Sequence, residues 1–228
     1  MSFLLPFLLL VVFMACVGLL YTEGMWGNAI HLINVVTAAL LATNFWEPLA
    51  RFLEENVNGS FTYFWDLIAL WALFCTFLII FRTLTGFASR VKVKFLGIVN
   101  RAGSGFLAAC VGWVMVCFTT MTLHTAPLKR DFLFGGFRPG EKMFVGMAPD
   151  QQWLSFVEGR SRGSFSRSAS EEDLQENRYP PGPNASERQQ KLCVFDGNHE
   201  FIPKYAARRA SLDKGQQLRV SEGSAPKR

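Results

Sequence analysis

Four stretches of the chain are long and apolar: residues 3–21, 26–46, 61–81 and 105–123. Crossing a bilayer core as a helix takes about 20 consecutive apolar residues, so each stretch is predicted to be a transmembrane helix. The first and fourth contain no charged side chain, and the third contains only Asp66, near its start. The second is diluted by Asn28, His31, Asn34, Thr37, Thr43 and Asn44. It is nevertheless bounded by Trp26 and Trp46, aromatic residues of the kind that anchor helix ends at the membrane–water interface. No Lys or Arg precedes the first apolar run, so the basic region of a cleaved signal peptide is missing and an uncleaved helix is expected.

Past residue 123 the chain changes character. Of its 23 Lys and Arg, only Arg51, Arg82, Arg90, Lys92, Lys94 and Arg101 lie before that point. The expected fold class is an all-α membrane protein, with four transmembrane helices followed by a polar, largely disordered C-terminal tail. A four-helix membrane domain is expected over residues 1–124, a mixed juxtamembrane segment over 125–158 and a low-order tail over 159–228. Residues 159–187 are rich in Ser, Arg, Glu, Pro and Asn and are too polar to bury a core. A short apolar and aromatic island at 192–205 interrupts the tail, as a docking segment or a residual helix or strand. The net charge of +5 does not mark a nucleic-acid binder. The basic residues of the tail are interleaved with acids, and no RNP, zinc-finger or helix-turn-helix pattern is present, so no nucleic-acid partner is expected.

Charge also predicts orientation. The loop between the third and fourth stretches holds Arg90, Lys92, Lys94 and Arg101, with Arg82 at its edge, and no acid. The preceding loop holds Glu47, Glu54 and Glu55 against Arg51 alone. Short basic loops stay in the cytoplasm, which places the loop at 82–104 inside and both termini outside. Lys129, Arg130, Arg138 and Lys142 are then exported, against that trend. Lys92 and Lys94 alternate with Val91, Val93 and Phe95, so membrane lipid is an expected contact of this loop. Small residues recur at a four-residue spacing in Ala38 and Ala42, Gly105 and Ala109, and Ala108 and Gly112. Such pairs let helices approach closely in lipid, which suits a compact bundle, a homo-oligomer or association with other membrane proteins.

Ionisable groups within membrane segments are candidates for function. His31 and Asp66 fall toward opposite faces, on the order of 15 Å apart along the normal of a core about 30 Å thick. Asp66 and His124 fall on the same side, where both are expected to meet water at the headgroup level. Asn28, His31, Asn34 and Asp66 form the candidate polar stripe. P-loop, HExxH, GxSxG and GxGxxG patterns are missing, and no pair of aspartates or Ser/His dyad lies within the spans. Cys16, Cys75, Cys110, Cys117 and Cys193 show no CxxC spacing. No catalytic residue, metal, disulfide or cofactor is therefore expected. A non-enzymatic membrane protein that works through partners is the leading reading, and a small oligomeric transporter or channel subunit is the alternative.

The basic, glycine-punctuated entry to the fourth stretch resembles the colicin V production protein family of bacterial inner-membrane proteins. Lys94-Phe-Leu-Gly97, with its Leu96 and Gly97, is similar to the first part of the family pattern, and Ser104-Gly105 falls where Arg-Gly is expected. Glu23-Gly-Met-Trp-Gly-Asn28 occupies the position of a turn that usually reads Arg-Gly-Phe. Arg101 stands in place of a glycine, Ser104 of an arginine and Glu23 of a basic residue, so the resemblance is to a divergent member. It covers about residues 5–123. It implies four transmembrane helices in the inner membrane and a role in toxin production or export and envelope maintenance, with no reaction mechanism.

Overall fold

The computed structural model of the chain describes residues 3–56, 62–89, 96–127, 137–161, 167–168, 192–193, 195–196 and 199–213. Four long helices, α1 (Leu4–Leu20), α2 (Gly24–Asn56), α3 (Thr62–Ala88) and α4 (Gly97–Thr125), are followed by two shorter ones, α5 (Pro149–Ser161) and α6 (Phe201–Asp213). A 3-10 turn, Tyr21–Glu23, joins α1 to α2. Between α5 and α6, Arg167–Ser168 pairs antiparallel with Leu192–Cys193, Arg167 opposite Cys193. Three continuous helical stretches are long and apolar enough to cross a membrane: Leu4–Asn56, which contains α1, the turn and α2, then Phe64–Ala88 and Gly97–Thr125.

α4 is the axis of the bundle. α1 runs antiparallel along one side of it, with Tyr21 at the end of α1 beside Gly105 and Phe13 beside Gly112. Leu5 and Leu9, near the start of α1, are buried with Val116. α2 lies along another side and runs the same way as α4, so that Met25 meets Gly103 and Asn28 meets Ser104. Further along, Val35, Ala38, Ala39 and Ala42 share the core with Ala108 and Val111. The chain thus doubles back between α1 and α2. The reversal turns on Gly24, whose φ of 84° lies in a region that side chains other than glycine seldom enter. α3 packs chiefly on α2 and reaches α4 through Phe74, whose ring lies 4.7 Å from that of Phe118.

The reversal leaves the last carbonyls of α1 without intrahelical partners, a serious deficit where water is excluded. Asn28 and Ser104, both buried, supply them. Asn28 Nδ2 donates to the Leu20 carbonyl at 2.9 Å, to Ser104 Oγ at 2.9 Å and to the Ser104 carbonyl at 3.1 Å. Ser104 Oγ in turn donates to the Tyr21 carbonyl at 2.9 Å. One amide and one hydroxyl therefore tie the end of α1 to α2 and α4.

Several boundaries differ from the sequence expectation. The second helix does not stop at 46 but continues to Asn56 through Glu47, Pro48, Arg51 and Glu54. Its 33 residues span about 50 Å at 1.5 Å per residue, against a hydrocarbon core of about 30 Å, so the charged end extends beyond the core. The fourth helix begins at Gly97 rather than 105, because Asn100 Oδ1 accepts the Met25 amide at 2.9 Å and Gly103 admits the Met25 side chain. The tail expected to be largely disordered contains α6, whose Phe201 and Tyr205 join the main core together with Trp153, Leu154 and Val157 of α5. Burial of this aromatic face stabilises a helix that composition alone disfavours.

At Gly112 an added Cβ would stand 3.0 Å from the Phe13 ring and 3.2 Å from the Phe13 backbone oxygen. Gly112→Leu is expected to push α1 off α4 and to cost roughly 1–3 kcal/mol as an overpacking change. A thermal melt of the purified protein in detergent would show it. An unchanged melt would mean that α1 does not depend on this approach.

Candidate functional site

The end of the bundle where α1 begins and α4 ends is closed by α5 and α6. Asp66, in the first turns of α3, is 1 % exposed. Arg208 of α6 bonds its Oδ2 at 2.6 Å, and the Tyr205 hydroxyl donates to the same oxygen at 3.2 Å. The neighbouring Arg209 turns inward as well, donating to the His124 carbonyl at 3.2 Å and lying over the Phe137 ring. His124 is also buried, and its Nε2 lies 3.0 Å from Asp150 Oδ2 on α5. The same oxygen accepts the Gly140 amide at 2.8 Å. Gly140 sits at φ 73°, and a Cβ there would meet the Gln151 side chain at 2.8 Å, so the loop over Asp150 needs a glycine.

Burial pushes the pKa of the Asp150 carboxyl up, but the hydrogen bonds from His124 and from the Gly140 amide outweigh it and hold that pKa below its ordinary value. Asp150 is therefore ionised and His124 Nε2–H donates to it. Burial also pushes the Tyr205 hydroxyl well above its usual range and keeps it a donor to Asp66. No hydroxyl or thiol is bonded to the His124 ring among the described residues. The chemistry of this end is that of a charge clamp, with two arginines and two carboxylates fixing α5 and α6 to the bundle.

The opposite end carries a cleft of about 550 Å³ between α2 and α3, lined among others by Glu23, Trp26, His31, Asn34, Arg82 and Asn100. Asn34 Nδ2 bonds Thr85 Oγ1 at 2.9 Å on its floor. At the rim Trp26 Nε1 bonds Ser89 Oγ at 3.0 Å, and Arg82 lies 3.3 Å from Glu23.

The candidate polar stripe is thus divided three ways. Asn28 holds the helix reversal, His31 and Asn34 line the cleft, and Asp66 faces the clamp. Each step of three residues falls about 60° short of a full helical turn, so Asn34 lies about 120° around α2 from Asn28. Asp66 and His124 do share one end, but α5 and α6 cover them, and the expectation that both meet water is corrected: each is 1 % exposed. Ala38, Ala42, Ala108 and Gly112 are buried between helices, with Gly105 and Ala109 half-buried beside them. Of the basic loop, Arg101 is exposed on α4, while Arg90, Lys92 and Lys94 lie outside the described residues. Leu96 is exposed, and Gly97 opens α4. Among the described residues no group of three or more His, Cys, Asp or Glu is placed to hold a metal ion. Arg208 and Arg209 were not among the candidate site residues read from the sequence. Their signal is the lone acid of the third apolar stretch, which must find a cation somewhere in the chain.

The family model for the colicin V production protein matches residues 5–135, more than half of the chain and, but for Leu4, all of α1 to α4. The chain belongs to the colicin V production protein family. No curated protein and no solved structure matches it. In this family member α5 and α6 lie past the matched residues, so the clamp is built from two parts: acceptors within the family domain, Asp66 and the His124 carbonyl, and donors beyond it, Arg208 and Arg209.

Breaking a buried ion pair on one side costs about 3–5 kcal/mol, whereas replacing both partners is far milder. Asp66→Asn and Arg208→Met are each expected to release α6, read as faster tryptic cleavage at Arg209, which is 5 % exposed when docked. The double variant should lose less than the sum of the two. Strict additivity would show that the pair is not coupled.

The depressed Asp150 pKa makes a second expectation for the clamp. A carboxyl with a lowered folded value stabilises the fold above its ordinary range, near pH 4, and that stability is lost as the pH falls through the folded value. Acidification below about pH 4 should therefore loosen α5, followed through Trp153 fluorescence. Asp150→Asn should shrink that acid step, and an identical profile in both proteins would remove Asp150 from the account.

Proposed function

We propose that this protein is a four-span inner-membrane protein that supports toxin production or export, or envelope maintenance, by engaging partner proteins rather than by catalysis. Membership of the colicin V production family supports the setting. The observation that carries the partner reading is the clamp. Both flanks of residues 162–191 are fastened to the same end of the bundle, α5 through Asp150–His124 and α6 through Arg208–Asp66. The stretch between them is polar, with Arg160-Ser-Arg-Gly-Ser-Phe-Ser-Arg-Ser168 at its start. A polar sequence whose two flanks are anchored at one place is suited to recognition. Four crossings are supported by the antiparallel course of α1 and α2, and by the 17 residues of α1, which reach about 25 Å at 1.5 Å per residue. With the basic loop at 82–104 in the cytoplasm, the clamp and both termini lie outside.

Fusions of alkaline phosphatase and of a cytoplasm-only fluorescent protein at Arg228 test the orientation. Phosphatase activity without fluorescence is expected, and the reverse result would place the clamp in the cytoplasm. Replacing residues 170–190 by a Gly/Ser linker of equal length should abolish site-specific cross-links from this region to other envelope proteins. Unchanged cross-links would transfer the partner surface to the helices. The half-buried His31 in the cleft favours the transport subunit as a second reading. It predicts that His31→Leu lowers solute flux in reconstituted vesicles.

A further inference from the structure

The cleft between α2 and α3 has properties that the clamp does not use. It lies where the charge-free parts of the helices end: Glu23 is in the turn that follows α1, and Arg82 follows the uncharged residues 67–81 of α3. This is the headgroup level of a bundle that spans the membrane, the reading on which the inference rests. Among the described residues its mouth holds one cation and one anion, Arg82 and Glu23, 3.3 Å apart with side chains 60 % and 41 % exposed. An exposed pair of this kind is weak and exchanges readily for other partners. Deeper in, His31 is half-buried and Asn34 and Thr85 form the floor. Gly86 lines the cleft, and a Cβ there would meet nothing within 4 Å, so space stands open beside it. The volume of about 550 Å³ suits a small polar group, within the roughly 300–1,000 Å³ of ligand clefts.

Just beside it the surface turns apolar. Phe87, next to Gly86, is 67 % exposed, and Ile33, next to Asn34, is 64 % exposed. Side chains like these are covered by hydrocarbon, so a ligand seated in the cleft has acyl chains as its neighbours. A group that places an anion on Arg82 and an N–H donor on Glu23 satisfies both charges by separating the existing pair. We propose that the cleft binds the headgroup of a phospholipid carrying both a phosphate and a primary ammonium, as in phosphatidylethanolamine. The phosphate takes Arg82 and the ammonium takes Glu23. A quaternary ammonium has no N–H for Glu23, and a glycerol headgroup carries no cation to offset its carboxylate. The cleft therefore selects against phosphatidylcholine and phosphatidylglycerol.

The test is native mass spectrometry of the full-length purified protein, titrated in detergent with each of the three lipids and with soluble phosphoethanolamine as competitor. Phosphatidylethanolamine should bind about tenfold more tightly than the other two, the weight of one charge-assisted hydrogen bond. Arg82→Gln should lower that affinity about tenfold by the same measure, and Gly86→Leu should lower it by filling the cleft. Glu23→Gln, a change at an exposed position, should erase the preference over phosphatidylglycerol while leaving phosphate binding. Equal affinity in the wild type and the Gly86→Leu and Arg82→Gln variants overturns the site. So does a wild-type preference for phosphatidylglycerol. Displacement by an equal concentration of soluble phosphoethanolamine overturns the lipid as its source. Circular dichroism identifies any variant that fails to fold, and the Arg228 fusions report the membrane topology independently, so failure of the one is not failure of the other.

Discussion

Buried backbone must have its polar groups satisfied, and the place where this helical bundle meets that constraint is the reversal after α1. A helix that ends packed against two others buries carbonyls that water cannot reach. Here the Leu20 and Tyr21 carbonyls are taken up by Asn28 and Ser104, from the two helices that follow the reversal and the basic loop. That single knot decides which side of α4 receives α1 and which receives α2. It thereby fixes the cleft on one end and directs the start of α1 and the end of α4 to the other. The small residues complement the knot: Gly112 and Ala108 let the helices it ties approach closely.

The two ends of the bundle then solve opposite electrostatic problems. Near the reversal, charge stays exposed and loosely paired, as in Arg82 and Glu23. At the far end it is enclosed, with Asp66 and Asp150 held by Arg208 and by His124 under a layer of Phe137, Phe201 and Tyr205. An exposed pair contributes little to stability but remains available to a ligand. An enclosed pair commits its partners to one arrangement, since either charge alone is costly in that environment. The open end is thus suited to exchange and the closed end to permanence.

Much of this was legible in the sequence wherever apolar periodicity carried the signal. The positions of α1 to α4 follow from uncharged runs of membrane length, and the family from Leu96, Gly97 and Gly105 with their neighbours. The start of α4 was not legible, because Asn100, Arg101 and Gly103 read as loop until Met25 is placed against them. Nor was α6. The island at 192–205 ends at Tyr205, yet the buried helix face runs on from Phe201 and Tyr205 to Arg208 and Arg209, at helical spacings of four, seven and eight. A face that is half aromatic and half cationic has no hydrophobic period to detect. It becomes intelligible only beside Asp66, 142 positions earlier in the chain.

That separation bears on how the protein is made. Asp66 enters the bilayer with the third helix, while the arginine that neutralises it is still to be translated. At about 5–20 residues per second the interval is on the order of ten seconds. Throughout it the third helix carries a carboxylate that Arg208 has not yet reached. Docking of α6 is therefore a completion signal written in charge. A chain cut short before Arg208 lacks the cation that this buried carboxylate meets in the finished fold.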